Sequence, residues 1–454
     1  MIVHQFYLGC LSHASYIIAD EVNGQALIVD PRRDIDIYVS YLQEHKLSLK
    51  GVALTHFHAD FLAGHIEIRN RYQVPIYMGQ HAESEFSIEA LAHHQKITIG
   101  DVVVEALLTP GHTPEGISLV VRETQDARPY AVLTGDTLFI GDVGRPDLLA
   151  SVGVTSEELA SQLYESLHQQ LLSLDDDVLV YPAHGAGSLC GKNLSKDTVS
   201  TIGEQRNNNY ALQEKDKDKF IDMVTQEQPK APPYFLHDAI LNKKERPELG
   251  SYKAFLKAPL DIKTIINHIE LNHDVVDTRE ADDFHTKHLK GTLNIGVQGR
   301  YAPWAGSLLD PQRPIVVIAM EAELEESALR LARIGYDHVV GLASWESLEG
   351  QIEPDQMGST QRIAGSELPQ LFQQEQPVIL DVRAKGETES GKFPQAVNIP
   401  LDELPESIAQ LNPQSPTLVH CAGGYRSSAA VSFLQANGFT EVKDLEGGFK
   451  QEYV

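Results

Sequence analysis

The chain has 454 residues, 42% of them apolar, which predicts about three domains that can each bury a core. Its formal net charge of −27 argues against nucleic-acid and anionic-membrane partners, and no apolar run is long enough to span a bilayer. The three cysteines form no C-x-x-C pair and the N-terminus has no signal-peptide pattern, so we expect a cytoplasmic protein without a disulfide framework or a thiolate zinc site.

Short apolar segments that end at polar, glycine or proline residues recur as far as residue 185 and predict β-strands. The predicted strands are SYIIAD (15–20), ALIVD (26–30), GVALTH (51–56), VPIYMG (74–79), DVVVEALLTP (101–110), ISLVVRE (117–123), YAVLTGD (130–136) and DVLVYPAHG (177–185). Two amphipathic segments, 35–48 and 156–174, predict helices. Many strands interleaved with helices are typical of a layered α/β domain.

The stretch TQEQPKAPPY at 225–234 ends this pattern. Its three prolines, Pro229, Pro232 and Pro233, lie close together, and proline at this density predicts an extended connection. We therefore place the end of the first domain at residue 230.

Two similar segments follow the connection. DVVDTRE (274–280) and PVILDVRAKGE (377–387) each place an Asp-x-Arg after an apolar strand, and GTLNIG and QAVNIP then occupy corresponding positions. A second strand, a loop and a helix follow in both. This order indicates an internal duplication, with domains at 250–350 and 360–454. Strands that alternate with helices predict a parallel sheet in each copy.

Histidine and aspartate side chains follow four of the apolar segments in the first domain. They stand in the runs THFHAD, TPGHTPEG, TGD and YPAHG, and the candidates are His56, His58, Asp60, His112, Asp136 and His184. Because strand ends converge in a layered sheet, we expect these side chains to meet. Imidazole and carboxylate are ligands of iron, zinc and manganese, so the pattern predicts a metal site.

This pattern resembles the metallo-β-lactamase family, whose metal motif reads H-x-H-x-D-H followed by His, Asp and His. The resemblance covers about residues 1–225 and implies an αββα fold. Phe61 departs from the motif, because it replaces the histidine that serves the second metal in two-metal members such as glyoxalase II. The departure fits the persulfide dioxygenase branch, which is similar to glyoxalase II but holds one iron.

The resemblance to persulfide dioxygenases implies one Fe(II) per chain, bound by His56, His112 and Asp136. Two histidines and one carboxylate on one face of a metal mark non-haem Fe(II) oxygen chemistry. The expected substrates are O2 and a thiol persulfide, carried by glutathione, CoA, bacillithiol or a similar thiol, and the expected products are sulfite and the thiol.

Three further motif residues are expected to surround the ligands and to orient them by hydrogen bonds: His58, Asp60 and His184. Arg145, which follows the Asp136 loop, is a candidate for assisting an anionic substrate, although a purely structural arginine fits the sequence equally well. Cys190, six residues beyond His184, is expected to be a buried, inert thiol.

In the last domain, the strand PTLVH leads into the loop CAGGYRSS and then into a helix. A cysteine at a helix N-terminus is favoured as the thiolate, which makes Cys421 a candidate nucleophile. Gly423 and Gly424 let the loop curl, and Arg426 can brace it and attract anions such as sulfite. The C-x-x-G-x-R pattern resembles the active loop of the rhodanese family over about residues 365–454, which implies sulfur transfer to or from sulfite and thiosulfate.

The middle domain has no cysteine, and its corresponding loop is acidic. Four glutamates stand where an anion-binding loop is expected: Glu321, Glu323, Glu325 and Glu326. A thiolate or persulfide would be repelled there, so we expect a degenerate rhodanese-like domain that packs against, spaces or docks the others.

The sequence therefore predicts a persulfide dioxygenase fused to a sulfurtransferase, active in sulfide detoxification. Fusion gives the second site a high local concentration of sulfite. Two alternatives stay open: a binuclear thioester hydrolase with a sulfurtransferase tail, and a non-enzymatic persulfide carrier or sensor. The thiol that carries the persulfide and the oligomeric state, including a homo-oligomer, are not determined by the sequence.

Overall fold

The computed structural model describes residues 1–148, 153–226, 228, 230–250 and 253–453. These residues form two compact units, one of residues 1–249 with 333–335 and one of residues 250–332 with 336–454. Pro229, in the connection predicted from the sequence, lies outside the described residues. Across the described ranges, no helix is both long enough and apolar enough to cross a membrane.

The first unit contains two six-stranded sheets. The first sheet has the order β1-β2-β3-β4-β5-β6, and its strands are Ile2–Leu8, His13–Asp20, Gln25–Val29, Ser48–Ala53, Ile76–Gly79 and Glu89–Leu91. The second sheet has the order β12-β11-β10-β9-β8-β7, and in chain order β7 to β12 are Lys96–Ile99, Val102–Leu108, Ile117–Arg122, Ala131–Gly135, Leu179–Pro182 and Ser200–Thr201. All eight predicted strands overlap observed ones.

The two sheets pack face to face because alternate residues of their strands are apolar. Ile18 and Val29 of the first sheet share a buried cluster with Val104, Leu119 and Leu133 of the second. Side chains on the other face of the second sheet, such as Val120 and Val132, pack against helices instead.

Helices cover the outer faces of this sandwich and give the αββα arrangement. In chain order, α1 to α7 are Asp36–Glu44, His65–Tyr72, Ser156–Glu165, Ile202–Asn208, Tyr210–Gln213, Lys217–Thr225 and Tyr234–Leu241. α3 begins with a capping box, in which the Thr155 hydroxyl accepts from the Glu158 N–H and the Glu158 carboxylate accepts from the Thr155 N–H. The predicted helix 156–174 continues beyond α3 as one π-helical and one 3-10 turn, Ser166–Gln170 and Leu171–Ser173.

Helix α7 lies beyond residue 230 but belongs to the first unit. Asn242 follows it and is fully buried. Its side-chain amide donates to the carbonyls of His58 and Phe61, at 2.8 Å each, and its oxygen accepts from the N–H of Ala63 at 2.9 Å. One asparagine thereby fixes the backbone of the THFHADF segment.

The second unit contains two parallel sheets, as predicted. The first has the order β15-β13-β16-β17, the second has the order β19-β23-β22-β20-β21, and β14 pairs with β18 separately. In chain order, β13 to β23 are Asp274–Asp277, His288–Leu289, Leu293–Asn294, Ile315–Ala319, Val339–Ser344, Met357–Gly358, Gln361–Ile363, Val378–Asp381, Val397–Asn398, Thr417–His420 and Val442–Leu445. The helices α8 to α17 are Lys253–Leu256, Ile262–Glu270, Ala281–Thr286, Tyr301–Leu308, Leu324–Arg333, Trp345–Leu348, Leu368–Gln374, Lys385–Thr388, Leu404–Ser407 and Tyr425–Ala436.

The two parallel sheets repeat the same strand order, which supports the predicted duplication. β15-β13-β16-β17 corresponds to β21-β20-β22-β23. The Asp-x-Arg motif also repeats as a buried ion pair, with 2.6 Å between Arg279 Nη2 and Asp277 Oδ2, and 2.6 Å between Arg383 Nη2 and Asp381 Oδ2. The recurring aspartate and arginine thus hold the start of each copy's first loop.

Candidate metal centre and cysteine loop

Four groups of polar side chains follow strands of the first unit. His56 lies just beyond β4, and His112 lies in the loop that joins β8 to β9. Asp136 directly follows β10, and His184 follows β11. Each of these four residues is at most 4% exposed. The strand ends therefore bring together residues from all four predicted motifs.

The first group consists of His56, His112 and Asp136. Asp136 Oδ2 lies 3.8 Å from His56 Nε2 and 3.5 Å from His112 Nε2, and one ligand atom from each residue lies within 4.8 Å of the others. The other ring nitrogens are held: His112 Nδ1 lies 2.8 Å from the Arg145 carbonyl oxygen, and His56 Nδ1 lies 3.0 Å from Thr55 Oγ1. Neither carboxylate oxygen of Asp136 has a hydrogen-bond partner among the described residues. A buried carboxylate without a partner fits a bound cation.

The second group consists of His58, Asp60 and His184, whose ligand atoms also lie within 4.8 Å of one another. His184 Nε2 lies 3.5 Å from Asp60 Oδ2 and 3.6 Å from Asp136 Oδ1, so the two groups adjoin. Burial raises the pKa of Asp60. Burial opposes charge on His58, but the Asp30 carboxylate, 3.2 Å away, together with the carboxylates of Asp60 and Asp136 outweighs it, and the pKa of this histidine is raised.

Asp30 is a residue of the site that the sequence analysis did not identify. Its carboxylate accepts hydrogen bonds from the N–H and the hydroxyl of Thr55, both at 2.8 Å. Glu115 holds the same loop two residues after Thr55, because its carboxylate accepts a hydrogen bond from the N–H of Phe57 at 3.0 Å. The two buried carboxylates orient the loop that carries the first histidines. Asp30 is the last residue of the predicted strand ALIVD. The other site residues also stand at strand ends, and this shared position is the one sequence feature that could have indicated Asp30.

Phe61 fills the position at which two-metal members of the resembled family have a histidine. Its ring is fully buried, with its centroid 4.5 Å from that of His58 and 4.1 Å from that of His13. His13, which no motif indicated, is itself fully buried, and neither of its ring nitrogens has a hydrogen-bond partner within the described ranges. An aromatic hydrocarbon offers no metal ligand at this place.

Arg145 reaches the site through its backbone. Its carbonyl lies against the His112 ring, whereas its guanidinium forms an ion pair with Asp147, at 2.6 Å between Nη2 and Oδ2, and donates to the Leu189 carbonyl at 3.1 Å. The observed contacts thus hold the loop around His112. Assistance to an anionic substrate stays a prediction.

Cys190 lies beside the first two groups. Its sulfur, a nitrogen of His184 and an oxygen of Asp136 lie within 4.8 Å of one another. Burial, together with the carboxylates of Asp60 and Asp136, raises the pKa of this thiol well above its ordinary value. These surroundings favour the neutral thiol, and the inert role expected for Cys190 stays a prediction.

The CAGGYRSS loop joins β22 to α17 and holds Cys421 at the end of the strand. Cys421 is 2% exposed, and its sulfur accepts from the N–H of Gly424 at 3.1 Å and lies 3.7 Å from Ser427 Oγ. Gly424 has φ of 101°, a conformation that favours glycine and turns its N–H back toward the sulfur. Gly423 is exposed at the outer side of this turn. The loop can therefore stabilise a thiolate through its backbone.

Arg426 forms a two-fold ion pair with Glu387, at 2.5 Å between Nη1 and Oε2 and 2.7 Å between Nη2 and Oε1. The bond to Glu387 is the main cause that raises the pKa of Arg426, and the same bond lowers the pKa of Glu387. The ion pair fixes the Arg426 side chain, and one carboxylate offsets its charge. Its role in attracting anions stays a prediction.

The strand register identifies the residue that replaces the cysteine in the middle domain. Asp381 pairs with His420, the residue before Cys421, and Asp277 pairs in the same way with Ile318. The residue equivalent to Cys421 is therefore Ala319. The acidic segment Glu321–Glu323 follows as a 3-10 turn. No nucleophile stands at the corresponding place.

Comparison with known proteins places both parts of the chain. A model of the metallo-beta-lactamase superfamily matches residues 8–184, and a model of the rhodanese-like domain matches residues 365–451. A crystal structure described as a metallo-beta-lactamase from Staphylococcus aureus is 30% identical, with a TM-score of 0.68, over 76% of this chain and 98% of that one. The chain belongs to the metallo-β-lactamase superfamily.

Within that superfamily, the chain combines a domain homologous to persulfide dioxygenases with a C-terminal rhodanese-like domain. The mitochondrial persulfide dioxygenase ETHE1 of Homo sapiens is 29% identical over 206 residues, which cover 44% of this chain and 70% of that protein. A cytoplasmic hydroxyacylglutathione hydrolase of Arabidopsis thaliana is 34% identical over 182 residues, 39% of this chain and 66% of that protein. Relatives named as a dioxygenase and as a hydrolase therefore both match the first domain.

Proposed function

We propose that the first unit is a persulfide dioxygenase that holds one Fe(II) through His56, His112 and Asp136. The observation that supports this proposal most is the buried group of His56, His112 and Asp136, in which the Asp136 carboxylate has no hydrogen-bond partner among the described residues. Bound Fe(II) supplies the redox chemistry by which O2 oxidises a sulfane sulfur, which a zinc ion cannot supply.

The protein's own groups set the ligand geometry. The Nδ1–H of His112 can donate a hydrogen bond to the Arg145 carbonyl. This tautomer leaves the Nε2 lone pair free to bind the metal. The cleft beside the first group is lined mainly by small hydroxyl side chains and one apolar residue: Thr55, Thr109, Thr113, Thr137 and Ile117.

The proposed overall reaction at this centre is RSSH + O2 + H2O giving RSH and sulfurous acid. The terminal sulfur gains three oxygens and loses its bond to the thiol sulfur, four electrons pass to O2, and the thiol leaves with a proton. Sulfurous acid ionises to sulfite at neutral pH.

The last domain is proposed to transfer sulfur through Cys421. The Cys421 thiolate attacks the outer sulfur of RSSH, which forms a cysteine persulfide and releases RSH after the leaving thiolate takes the proton. Sulfite then attacks the outer sulfur of that persulfide, and thiosulfate and the Cys421 thiolate result. The Gly424 N–H, already directed at the sulfur, can hold negative charge in both forms.

The test is anaerobic reconstitution of the full chain with Fe(II), followed by oxygen consumption with persulfides of glutathione, CoA and bacillithiol. We expect oxygen uptake with at least one of them, and one sulfite or thiosulfate formed for each O2 consumed. Absence of uptake with iron fully incorporated would contradict the proposal.

A thioester hydrolase is the second candidate, favoured by the hydroxyacylglutathione hydrolase relative and by the adjoining group His58, Asp60 and His184. This candidate requires two metal ions per chain. Metal analysis of the purified protein, with thioester hydrolysis measured on the same sample, distinguishes the two.

A further inference from the structure

Helix α17, which starts at the Cys421 loop, docks on the cysteine-free domain that precedes it. The Tyr425 hydroxyl, in the first residue of the helix, donates to the Gly296 carbonyl at 2.6 Å. Tyr425 is therefore anchored on one domain while its chain neighbour, Gly424, directs its N–H at the Cys421 sulfur.

The Tyr425 ring lies in a socket formed at two glycines, Gly296 and Gly299. A Cβ added to Gly299 would lie 2.3 Å from Cε2 and 2.6 Å from Cζ of Tyr425, and one added to Gly296 would lie 3.2 Å from Cε2. Arg330 holds the socket from behind by donating to the carbonyls of Val297 and Gly299, the latter at 3.1 Å. The ring of Tyr425 thus occupies space that only glycine leaves open.

Two serines on the same helix extend this contact. Ser428 Oγ donates to Asn294 Oδ1 at 2.6 Å, and the N–H of Asn294 donates to Ser432 Oγ at 2.8 Å. Asn294 lies on β15, the edge strand of its sheet, so the helix covers backbone groups that the sheet leaves unpaired. Both serines are buried.

We propose that Tyr425 is a positioning residue, through which the cysteine-free domain holds the Cys421 loop in its reactive geometry. The proposal rests on the proposed role of Cys421 as a nucleophile. The loop needs such support because Gly423 and Gly424 make it flexible, whereas thiolate stabilisation requires the Gly424 N–H within hydrogen-bond distance of sulfur. The cysteine-free domain has no nucleophile of its own and, in this proposal, supports the active loop of its neighbour.

The decisive variant is Gly299→Ala, which alters a residue of the other domain and leaves the loop sequence unchanged. Its methyl group must displace the Tyr425 ring, so we expect the reaction of Cys421 with iodoacetamide at neutral pH to slow by roughly tenfold, the size of effect of one broken buried hydrogen bond. The alkylation rate, measured as a function of pH, should reach half of its maximum at a higher pH than in the parent. Mass spectrometry of the peptide that contains Cys421 separates it from the other two cysteines.

Gly350→Ala is the matched control, because it lies in the same domain and its added Cβ would contact nothing within 4 Å. It should leave the alkylation profile unchanged. Tyr425→Phe removes the hydroxyl alone and should produce a smaller slowing. If Gly299→Ala unfolds the chain, as circular dichroism would reveal, Tyr425→Phe carries the test by itself.

A double-mutant cycle separates positioning from a general loss of stability. In a Tyr425→Ala background no ring remains to be displaced, so Gly299→Ala should add nothing further to the slowing. Additive effects in the cycle, or a parental profile in both Gly299→Ala and Tyr425→Phe, would overturn the proposal. Because alkylation needs no sulfur substrate, failure of the proposed sulfur transfer would be recognised separately.

Discussion

The ring centroid of Phe61 lies 4.1 Å from that of His13, and both side chains are fully buried beside the second group of candidate ligands. Phe61 also lies 4.5 Å from His58 between ring centroids, so the residue at this motif position offers no nitrogen ligand. His58, Asp60 and His184 therefore have the apolar ring of Phe61 beside them. We predict a metal at the first group alone.

Asp136→Ala should abolish iron binding and oxygen uptake while leaving the fold intact, because this carboxylate lies between the two histidines of the first group. Iron per chain, measured after anaerobic reconstitution, is expected to fall from one to near zero. Asp60→Asn, in the adjoining group, is the control and should retain the iron. A stoichiometric two-zinc centre with full thioesterase activity in the parent would refute this prediction.

Cys421→Ser should shift the product of persulfide oxidation from thiosulfate toward sulfite. Serine keeps the size of the side chain but is a poor nucleophile, and the iron centre lies in the other unit, so oxygen uptake should persist. Both anions are to be quantified after complete oxidation, with spontaneous exchange between sulfite and persulfide subtracted. Thiosulfate formed at the parental rate would show that the two activities are not coupled through Cys421.

The same Cys421→Ser chain should also show no sulfur transfer from thiosulfate to cyanide above background. Ala319 stands at the position equivalent to Cys421 in the middle domain, and the glutamates that follow it repel anions. Cyanide-dependent thiocyanate formation is the measurement, with the parent as the positive control. Clear residual turnover would mean that the middle domain has an activity of its own.

Asp444→Asn should stabilise the second unit above about pH 7. Burial raises the pKa of Asp444 from 3.8 to about 7, although Ser427 and Arg362 act in the opposite direction. The unfolded chain releases this proton near pH 4 and the folded chain only near pH 7, so the parent loses stability as the pH rises between these values. The gain in the variant should be on the order of 2–4 kcal/mol at pH 8 and should vanish near pH 4.

Calorimetric unfolding across this pH range is the measurement for Asp444→Asn. The charged or titratable neighbours, Arg362, Asp282 and His285, are present in both proteins, so the difference between them isolates the carboxylate. A constant difference in melting temperature from pH 4 to pH 8 would argue that Asp444 does not titrate in the fold.

Local sequence patterns were sufficient to predict eight strands of the first unit, the duplication and the residues at the strand ends, whereas β1, β6, β7 and β12 were not predicted. Each of the predicted features depends on a short periodicity or on a motif that follows a strand. The supports of the site depend on contacts between distant segments. Asn242 holds the carbonyl of His58 across 184 positions of the chain, and no periodicity could indicate that pairing.

Residues without a motif were missed for a related reason. His13 belongs to an ordinary apolar strand, and only the fold brings its ring to within 5.7 Å of His58 and 5.5 Å of His184, measured between centroids. Likewise, the sequence does not distinguish Gly299 from the other 32 of its 33 glycines. Only the fold shows that the Tyr425 ring packs against this residue.

The socket at Gly299 also limits how this protein can be taken apart. A fragment that begins at residue 360 would contain the whole rhodanese-like match at 365–451, yet it would expose Tyr425, Ser428 and Ser432 on a helix face whose partners had been removed. Such a fragment is expected to aggregate or to react sluggishly even though every residue of its own active loop is intact. The pair of domains is therefore the unit to express when the Cys421 loop is studied apart from the first unit.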